Sequence, residues 1–540
     1  MGGRWTLFGN IYTYSGIGNS MVVRVYGGDS GIVLAAPSSE TQLGQLFACR
    51  VEGRSVILKV IDFSYVSSAE EQFLAEMSKQ SEDATPLRLT YSDSVTTLVS
   101  KLKPLVEVTS QGVRSYRTNI PPGTQLFEAN EKDLEFLQRP NGLPFGKVRS
   151  GHNVLDVKVM LDPLKTLSEH LLIAATTGRG KSNLLKTVLW SLMDSGTVGI
   201  VVVDPHREYF SELRDHPRVQ SSLVSFSPNP APGEVQLAVS TELIRPSHLE
   251  GSVTLSEAQE READLLARRP PSTGDDGSDG EFKGYGSKWV EALVTGKAIP
   301  KGDDIRTSSV VSTRVTLMRK LSRLLSVDEN GHYGVFKVPS LCKEREVDGS
   351  TFLKQVAEAV DKKKIVLIDS SSISQDAEML IGNMVCQYLL DQNMRRKQNG
   401  ESFEPCAIVL EEAPRLLSAN SPPNSYMRVA REGRKFGIGL IAVTQLISVI
   451  PEDILANMNT KVYFGMASGR ERRAAIDNAL NDLDGEEDEL VRLDVGEAIL
   501  TNTRLGFAVP IKVPSIEEFK TLTSEVKKVE WLRPGQKLVE

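Results

Sequence analysis

The sequence predicts an α/β protein in which helices cover both faces of a parallel sheet, preceded by a smaller β-rich region. From Leu171 onward, short apolar runs alternate with helical stretches; the runs include LLIAAT, GIVVVD, KIVLID, CAIVLEE and GLIAVTQ. Because these runs lack a strict apolar–polar alternation, they indicate strands that are buried on both faces. Residues 1–115 instead contain short Val-, Ile- and aromatic-rich runs between Gly, Ser and Asp turns. That pattern favours a small barrel or sandwich.

Changes of pattern along the 540 residues divide the chain into segments, and the length alone predicts two to four domains. A helical pattern at 67–80 interrupts the β-rich region, and the region around 240–335 interrupts the α/β pattern. We predict six segments: an N-terminal β-barrel at 1–115, a connector at 116–165, the first part of the core at 166–239, a helical insertion with a mobile loop at 240–335, the second part of the core at 336–514, and a C-terminal extension at 515–540.

The insertion contains VVSTRVTLMRKLSRLL, a candidate for a basic amphipathic helix. A solvated basic face over a packed apolar stripe is the simpler interpretation of such a helix. A contact with DNA or with a neighbouring subunit is the alternative. The run VGEAILTNTRLGFAVPIKV, within 495–514, predicts a β-hairpin near the end of the core.

Composition and charge argue against several classes of protein. A formal net charge of -7 excludes an overall basic coat, so any contact with DNA must come from a local surface such as the lining of a ring. Four widely spaced cysteines without a CxxC pair argue against a disulfide framework or a zinc site and fit a reducing cytoplasm. No apolar run reaches the roughly 18 residues of a membrane span, and the first residues do not resemble a signal peptide.

Residues 175–182, ATTGRGKS, match a phosphate-binding loop in which Ala175 replaces the first glycine. An apolar strand precedes the loop and a helix follows it, which is the context that a nucleotide site requires. Backbone N–H groups of the loop and the helix N-terminus attract phosphate. Lys181 supplies a positive charge, and Ser182 offers a hydroxyl to Mg²⁺.

The run AIVLEEA ends a second buried strand with two carboxylates, Glu411 and Glu412. We expect this strand to lie beside the strand that precedes the phosphate loop. Glu411 is predicted to orient Mg²⁺ through water, and Glu412 to act as general base on the attacking water. An acidic helix N-terminus, which the helix dipole favours, is the simpler alternative. Asp369 ends a competing strand but lacks a second carboxylate directly after it.

Further polar residues end strands or follow them. Asp204 ends GIVVVD, and Thr444 and Gln445 end GLIAVTQ, where a polar side chain can sense the γ-phosphate. Three arginines within seven residues, Arg428, Arg431 and Arg434, precede that strand. Capping of a helix C-terminus explains positive charge there, whereas an arginine acting across a subunit interface would stabilise the transferred phosphoryl group.

The segments ATTGRGKSN, DPHREYF, IVLEEAPRLL and REGRKFGIGLIAVTQ, in this order, closely resemble the HerA family within the HerA–FtsK group of ATPases. The resemblance extends over nearly the whole chain. It implies a RecA-like P-loop NTPase core, a small N-terminal barrel, a helical insertion and a homo-hexameric ring. It also implies ATP-driven translocation of double-stranded DNA through a central pore, together with a NurA nuclease, in the DNA end resection that prepares breaks for homologous recombination.

The resemblance also implies roles for individual residues. Glu411 and Glu412 match the acidic pair, Gln445 matches the sensor, and Arg434 matches the trans-acting arginine, with Arg431 in reserve. The nucleotide and its Mg²⁺ would be bound by Thr177, Gly178, Arg179, Gly180, Lys181, Ser182, Asn183, Asp204, His206 and Glu208. Three residues depart from the family pattern: Arg179 in the loop, Arg207 in place of a frequent glycine, and Pro414 where histidine is common.

Two other functions fit the same motifs. HerA-like rings also occur with other effectors in anti-phage defence, and related motors pump DNA during conjugation or division. A nucleotide-dependent scaffold, in which ATP mainly stabilises a ring that presents a partner, is the third hypothesis. The presence of Glu412 and Arg434 argues against a pure scaffold.

Overall fold

The computed structural model of the chain describes residues 4–8, 11–15, 33–35, 41–67, 96–117, 120–121, 124–268, 284–300, 305–327, 333–334 and 349–522. The chain divides into two compact units. The first unit combines Met1–Leu161, Ala175–Leu184 and Thr460–Glu540, and the second combines Asp162–Ala174 and Leu185–Asn459. Most of the helix predicted at 67–80, the mobile loop of the insertion and the tail beyond 522 lie outside the described residues. The boundaries of the six predicted segments stay predictions.

The strands of the described residues are numbered here in chain order. They are β1 (Arg4–Phe8), β2 (Ile11–Ser15), β3 (Val33–Ala35), β4 (Leu46–Val51), β5 (Arg54–Ser67), β6 (Thr96–Thr109), β7 (Gly112–Ser115), β8 (Leu126–Glu128), β9 (Leu143–Ser150), β10 (Asn153–Leu161), β11 (Leu171–Ala174), β12 (Gly199–Asp204), β13 (Leu223–Ser227), β14 (Val235–Gln236), β15 (Ser326–Val327), β16 (Tyr333–Gly334), β17 (Ile365–Asp369), β18 (Cys406–Leu410), β19 (Ile438–Thr444), β20 (Thr460–Phe464), β21 (Glu497–Asn502) and β22 (Val509–Lys512).

The α-helices are numbered in the same way. They are α1 (Pro163–Ser168), α2 (Lys181–Ser195), α3 (Phe210–Leu213), α4 (Val219–Ser222), α5 (Glu257–Ala267), α6 (Trp289–Val294), α7 (Ile305–Leu321), α8 (Phe352–Asp361), α9 (Gln375–Gln398), α10 (Pro414–Leu417), α11 (Ser425–Glu432), α12 (Glu452–Ala456), α13 (Gly469–Asp477) and α14 (Glu487–Arg492).

The β-rich region of the first unit forms an antiparallel sheet in the order β3-β6-β5-β4-β8, with β7 paired to β6. Alternate residues of its strands point to one face, and Phe47, Val56, Leu58, Leu102 and Leu126 form its buried core. Burial of apolar side chains from several strands is what makes such a sheet stable. The antiparallel strands agree with the β-rich pattern of the sequence, while a closed barrel stays a prediction.

The first unit contains a second antiparallel sheet, in the order β10-β9-β22-β21-β20. The hairpin that the sequence predicts within 495–514 is present as β21 and β22. All six residues of β21 are buried, so its apolar run packs on both faces.

The second unit is built on seven parallel strands in the order β11-β19-β18-β12-β17-β13-β14. Strands β11, β12, β17, β18 and β19 consist entirely of buried residues, as the continuous apolar runs of the sequence predict. Gly439 in β19 lets α1 pack directly on the sheet, because a Cβ there would lie 1.6 Å from the backbone oxygen of Leu167. The second unit is therefore the α/β core that the sequence predicts, a parallel sheet with helices packed against it.

The basic amphipathic helix that the sequence predicts is α7, which packs against α5 and α6. One of its arginines, Arg314, is buried and donates from Nε to Glu262 of α5 over 2.7 Å. Its Nη1 donates to the backbone oxygen of Ala298. The helix therefore uses the charge of Arg314 for packing within the insertion, which differs from the solvated basic face that the simpler interpretation expects.

A cluster of buried charges joins three elements of the first unit. Lys59 of β5 has no exposed side-chain surface, and its Nζ lies 2.6 Å from Glu486 and 2.8 Å from Glu489. Arg149 of β9 forms a second ion pair with Glu489 of α14. Burial alone would raise the pKa of Glu489, but the charges of Lys59 and Arg149 hold it below its ordinary value. Glu489 thus remains ionised and ties α14 to both sheets of its unit.

We predict that Lys59→Met lowers the free energy of unfolding by about 3 to 5 kcal/mol, because it leaves Glu486 buried without its cation. Lys101→Met is the matched control, since Lys101 forms an exposed pair with Asp62 and should cost no more than about 1 kcal/mol. Urea denaturation of the full chain measures both variants. Equal midpoints for the two variants would show that the buried cluster does not stabilise the first unit.

Candidate nucleotide site

The phosphate loop lies between the end of β11 and the start of α2. Gly178 and Gly180 have φ angles of 77° and 115°, in the region where a side chain is strained. Ala175 has no such angle and is buried, so the first position of this loop does not need a glycine. This explains how the loop accommodates its departure from the usual pattern.

The loop is fixed by backbone contacts within the first unit. The N–H of Thr176 donates to the oxygen of Gly465, and the N–H of Gly496 donates to the oxygen of Arg179 over 3.0 Å. The guanidinium of Arg179 donates to the backbone oxygen of Leu493, also over 3.0 Å. The arginine that departs from the family pattern therefore fastens the loop to the segment between α14 and β21.

Two residues of the predicted phosphate site bond to protein groups in the first unit. Asn183 donates to the oxygen of Pro514 over 2.7 Å and accepts from the N–H of Ile516. The Nζ of Lys181 donates to the backbone oxygens of Ala175 and Thr176, which places its charge over the loop. Asn183 is thus engaged in holding α2, and Lys181 is positioned for a phosphate in the loop.

The structure corrects the expected neighbour of the acidic strand. Strand β18, which leads to Glu411 and Glu412, does not lie beside β11, because β19 lies between them and pairs with both. The carboxyl ends of parallel strands meet at one edge of a sheet, where ligands bind. The chain therefore leaves β11 for the phosphate loop at the same edge at which β18 ends in its two acids, with Thr444 of β19 between them.

The two acids occupy different environments. Burial raises the pKa of Glu411, and the hydroxyl of Tyr209, which donates to its carboxylate, opposes that rise. Glu412 is 57% exposed, and His206 Nε2 lies 3.9 Å from its Oε1. A buried, hydrogen-bonded carboxylate suits a fixed orienting role, whereas an exposed one is accessible to an attacking water. The environments of the two acids thus differ, while their separate roles stay predictions.

The turn after β12 is organised by Asp204, which is 2% exposed. Its carboxylate accepts from the backbone N–H groups of His206, Glu208 and Tyr209 over 3.2 to 3.3 Å. The side chain of Asp204 is thus directed to its own turn, and Glu208 lies 3.8 Å from Lys186. Through this turn the DPHREY segment places Tyr209 against Glu411.

Sequence reasoning missed the contribution of Tyr209. The residue is part of the quoted DPHREYF segment, but its partner is 202 positions away, so spacing carries no signal of the contact. The ring is 2% exposed, and burial strongly raises the pKa of its phenol. Tyr209 therefore stays protonated and acts as a hydrogen-bond donor.

Asp369, the alternative candidate for the acid that orients Mg²⁺, belongs to an ion-pair network. Its Oδ2 accepts from Arg207 over 2.8 Å and from Ser227 over 2.7 Å. Arg207 also pairs with the fully buried carboxylate of Glu234 over 2.6 Å. With a φ angle of 55°, Arg207 occupies a conformation that favours glycine, and these two ion pairs offset the strain. The structure therefore explains an arginine at a position where the family often has glycine.

The arginine cluster lies around the C-terminus of α11. Arg434 has a side-chain exposure of 56%, and its Nη2 lies 3.5 Å from Glu169. Arg431 is 50% exposed and lies 2.8 Å from Asp453, while Arg428 lies 3.6 Å from Glu432. All three arginines thus keep about half of their side-chain surface accessible. Their action across a subunit interface stays a prediction, as does the sensor role of the exposed Gln445.

Within the described ranges, no helix is long and apolar enough to cross a bilayer. The same residues contain no group of three or more His, Cys, Asp and Glu side chains that could hold a metal ion. The cysteines that the structure describes, Cys49, Cys386 and Cys406, are buried free thiols. A single carboxylate and a hydroxyl are nonetheless the donors that suit Mg²⁺, which retains several waters and binds largely through substrate phosphates.

Comparison with known proteins gives the same family as the motifs. Residues 143–330 match the family model described as "Helicase HerA, central domain". The chain is 27% identical over 415 residues to the DNA double-strand break repair helicase HerA of Sulfolobus acidocaldarius, covering 74% of this chain and 75% of the relative. It is 23% identical over 408 residues to the protein of that name from Saccharolobus solfataricus, covering 74% of each.

Solved structures also resemble part of this chain at low sequence identity. VirB4 of Thermoanaerobacter pseudethanolicus is 16% identical with a TM-score of 0.45, covering 71% of this chain and 99% of that one. Plasmid coupling protein TrwB in complex with ADP and Mg²⁺ is 15% identical with a TM-score of 0.44, covering 72% of this chain and 93% of that one.

We predict that Tyr209→Phe lowers ATP turnover roughly 10- to 100-fold, because a hydrogen bond to a charged group contributes about 1.5 to 3 kcal/mol. If Glu411 orients Mg²⁺, the half-saturating Mg²⁺ concentration should rise as well, which a merely structural role would not cause. Steady-state hydrolysis over a magnesium titration measures both effects.

Tyr463→Phe is the matched control, since within the described residues the buried hydroxyl of Tyr463 has no hydrogen-bond partner. It should leave both turnover and the magnesium dependence unchanged. Wild-type magnesium dependence in Tyr209→Phe would remove Tyr209 from the positioning of Glu411.

Proposed function

Because the chain belongs to the HerA family, we propose that it is an ATP-hydrolysing motor of the helicase class that translocates double-stranded DNA. The relatives reported above carry names that describe DNA double-strand break repair helicases. We extend that activity to this chain as a proposal.

The observation that carries the proposal is the order of strands β11, β19 and β18. The strand that leads into the phosphate loop and the strand that ends in Glu411 and Glu412 terminate at one edge of a parallel sheet. Hydrolysis of a nucleoside triphosphate needs a phosphate cradle, a metal-orienting acid and a base for water. This strand order supports placing all three functions at that edge.

In the proposed reaction, the backbone of residues 176–180 and the Nζ of Lys181 bind the phosphates of ATP. Ser182 and Glu411 would hold Mg²⁺, which when bound neutralises charge on the phosphates. Glu412 accepts the proton of the attacking water, and its exposed carboxylate suits that task. Thr177, Gly178, Gly180, His206 and Glu208 complete the proposed nucleotide contacts, while Arg179, Asn183 and Asp204 act through the loop and turn that they hold.

We further propose a homo-hexameric ring in which Arg434 stabilises the phosphoryl group bound by the neighbouring subunit. Arg434 suits this role because its guanidinium is 56% exposed and its contact with Glu169 is long, at 3.5 Å. Gln445 would sense the γ-phosphate from the end of β19. Coupling of hydrolysis to an interface in this way converts chemistry into motion.

The biological setting follows from the family and is also proposed. The motor would work in the cytoplasm with a NurA-type nuclease and resect DNA ends before homologous recombination. Contacts of such a motor with DNA are sequence-independent and need positive charge only locally, which is compatible with the net charge of -7.

ATP hydrolysis by the purified chain, with and without linear duplex DNA, tests the proposal. We expect strong stimulation by duplex, and we expect Lys181→Ala and Glu412→Gln each to lower turnover at least about 100-fold. Glu412→Gln should still bind nucleotide, because it removes only the base. Glu404→Gln, which alters another half-exposed glutamate, is the control and should hydrolyse ATP normally.

A hydrolysis rate that is the same with and without duplex DNA would contradict a DNA motor and favour a nucleotide-dependent scaffold. Full activity of Glu412→Gln would assign the base to another acid.

A mixing experiment tests the trans-acting arginine. Arg434→Ala should lower turnover roughly 1,000-fold or more by itself. When it is mixed with Glu412→Gln, activity should partly return, since an intact base and an intact arginine then meet at some interfaces. Arg431→Ala is the matched comparison and should retain more activity than Arg434→Ala. An absence of recovery at every mixing ratio would place Arg434 in its own subunit's site.

A further inference from the structure

A cleft of about 820 Å³ in the first unit is lined by four arginines. They are Arg54, Arg114, Arg117 and Arg504, and the only acid in the lining is Glu107. Four arginines against one glutamate give the cleft a formal excess of three positive charges in a chain whose net charge is -7. The cleft is therefore a local basic surface of the kind that an acidic protein needs in order to bind a polyanion.

The backbone that carries Arg504 is fixed before any ligand arrives. The turn between β21 and β22 is held by Asn502, whose Oδ1 accepts from the N–H of Arg504 over 2.8 Å. Asn481 donates to the oxygen of Leu505 and accepts from the N–H of Asn502. A preorganised turn loses little conformational freedom on binding, which favours affinity.

The walls of the cleft are packed against each other. Gly506 lies so close to the β6–β7 hairpin that a Cβ there would be 2.6 Å from Cγ1 of Val106. Phe136 and Phe507 meet edge to face with their ring centroids 6.4 Å apart. The turn, the hairpin and the segment around Phe136 thus form one basic cleft. Glu107 within the cleft is paired with Arg54 over 3.2 Å.

The chemistry of the lining favours phosphodiesters. Guanidinium groups bind phosphate oxygens bidentately, and the lining contains no Asn or Gln side chain to read base edges. The apolar residues of the lining, Val113, Phe136, Leu137 and Leu505, are more than half-buried, and the exposed large apolar side chains of the described residues all lie outside the cleft. A protein partner would therefore find little apolar surface there.

We propose that this cleft binds the sugar–phosphate backbone of duplex DNA, independently of sequence. This inference rests on the proposed function, to which it adds a DNA contact in the first unit outside the nucleotide site. Arg114, Arg117 and Arg504 make the phosphate contacts. Arg54 also forms an ion pair with Glu107.

The test compares the full chain with the triple variant Arg114→Ala/Arg117→Ala/Arg504→Ala. Fluorescence anisotropy with a duplex oligonucleotide measures affinity over a range of salt concentrations. Loss of three phosphate contacts should weaken binding roughly 10- to 100-fold at low salt and reduce the slope of log affinity against log salt by about 2 to 3. Hydrolysis of ATP without DNA should not change, and the melting temperature should match that of the parent chain.

A control triple variant, Arg50→Ala/Arg214→Ala/Arg261→Ala, removes the same charge from exposed arginines that do not line the cleft. The proposal is overturned if the two triple variants bind duplex alike, or if the cleft variant keeps the parent salt slope. If an oligoglutamate peptide binds the parent chain as tightly as duplex DNA does and no longer binds the cleft variant, the proposal is overturned in favour of an acidic protein partner. A parent chain that binds no duplex at any salt concentration would contradict the proposed function as well.

Discussion

The carboxylate of Glu489 is the point on which the first unit depends. It is buried between Lys59 of β5 and Arg149 of β9, and it sits on α14. The chain that leaves α14 runs directly into Leu493 and then Gly496, the residues that hold the backbone and the side chain of Arg179. The buried charge of Glu489 is thus connected, through the short helix α14, to the shape of the phosphate loop. Loss of the ion pairs would release α14 and with it the support of the loop.

The second unit uses a hydrogen bond in the same way that the first uses an ion pair. Asp204 organises the turn after β12, the turn presents Tyr209, and Tyr209 donates to Glu411. The adjacent Glu412 lies 3.9 Å from Nε2 of His206 and stays exposed. Two neighbouring carboxylates therefore have different surroundings because only Glu411 is buried against Tyr209. Such a difference in environment is how proteins assign different tasks to chemically identical groups.

The sequence predicted the features that depend on consecutive residues and missed the contacts between residues that are far apart in the chain. Runs such as IVLID and CAIVL indicate buried strands because their apolar pattern is written in consecutive residues, and the loop at 175–182 is recognisable from its own spacing. The order of parallel strands depends on crossovers, so nothing in the run GLIAVT indicates that β19 lies between β11 and β18. The backbone oxygen of Leu493, to which Arg179 donates, is 314 positions away, whereas the resemblance to the family placed Arg179 among the residues that bind the nucleotide. Pairings over such distances follow only from the packed structure.

The ion pairs of the chain fall into two energetic classes, and the division follows function. Pairs that hold a site, such as Lys59 with Glu486 and Arg207 with Glu234, include a fully buried partner and are costly to break. The side chains of Arg431 and Arg434 are about half-exposed. The partner of Arg431, Asp453, is exposed as well, so that pair contributes no more than about 1 kcal/mol. The proposed motor would need both classes. The cradle for the nucleotide would have to keep its geometry through many cycles, while the groups that respond to the nucleotide would have to change partners in every cycle. Exposed arginines beside a rigid sheet would satisfy both requirements, since water would compensate for the lost pair each time a guanidinium left its partner.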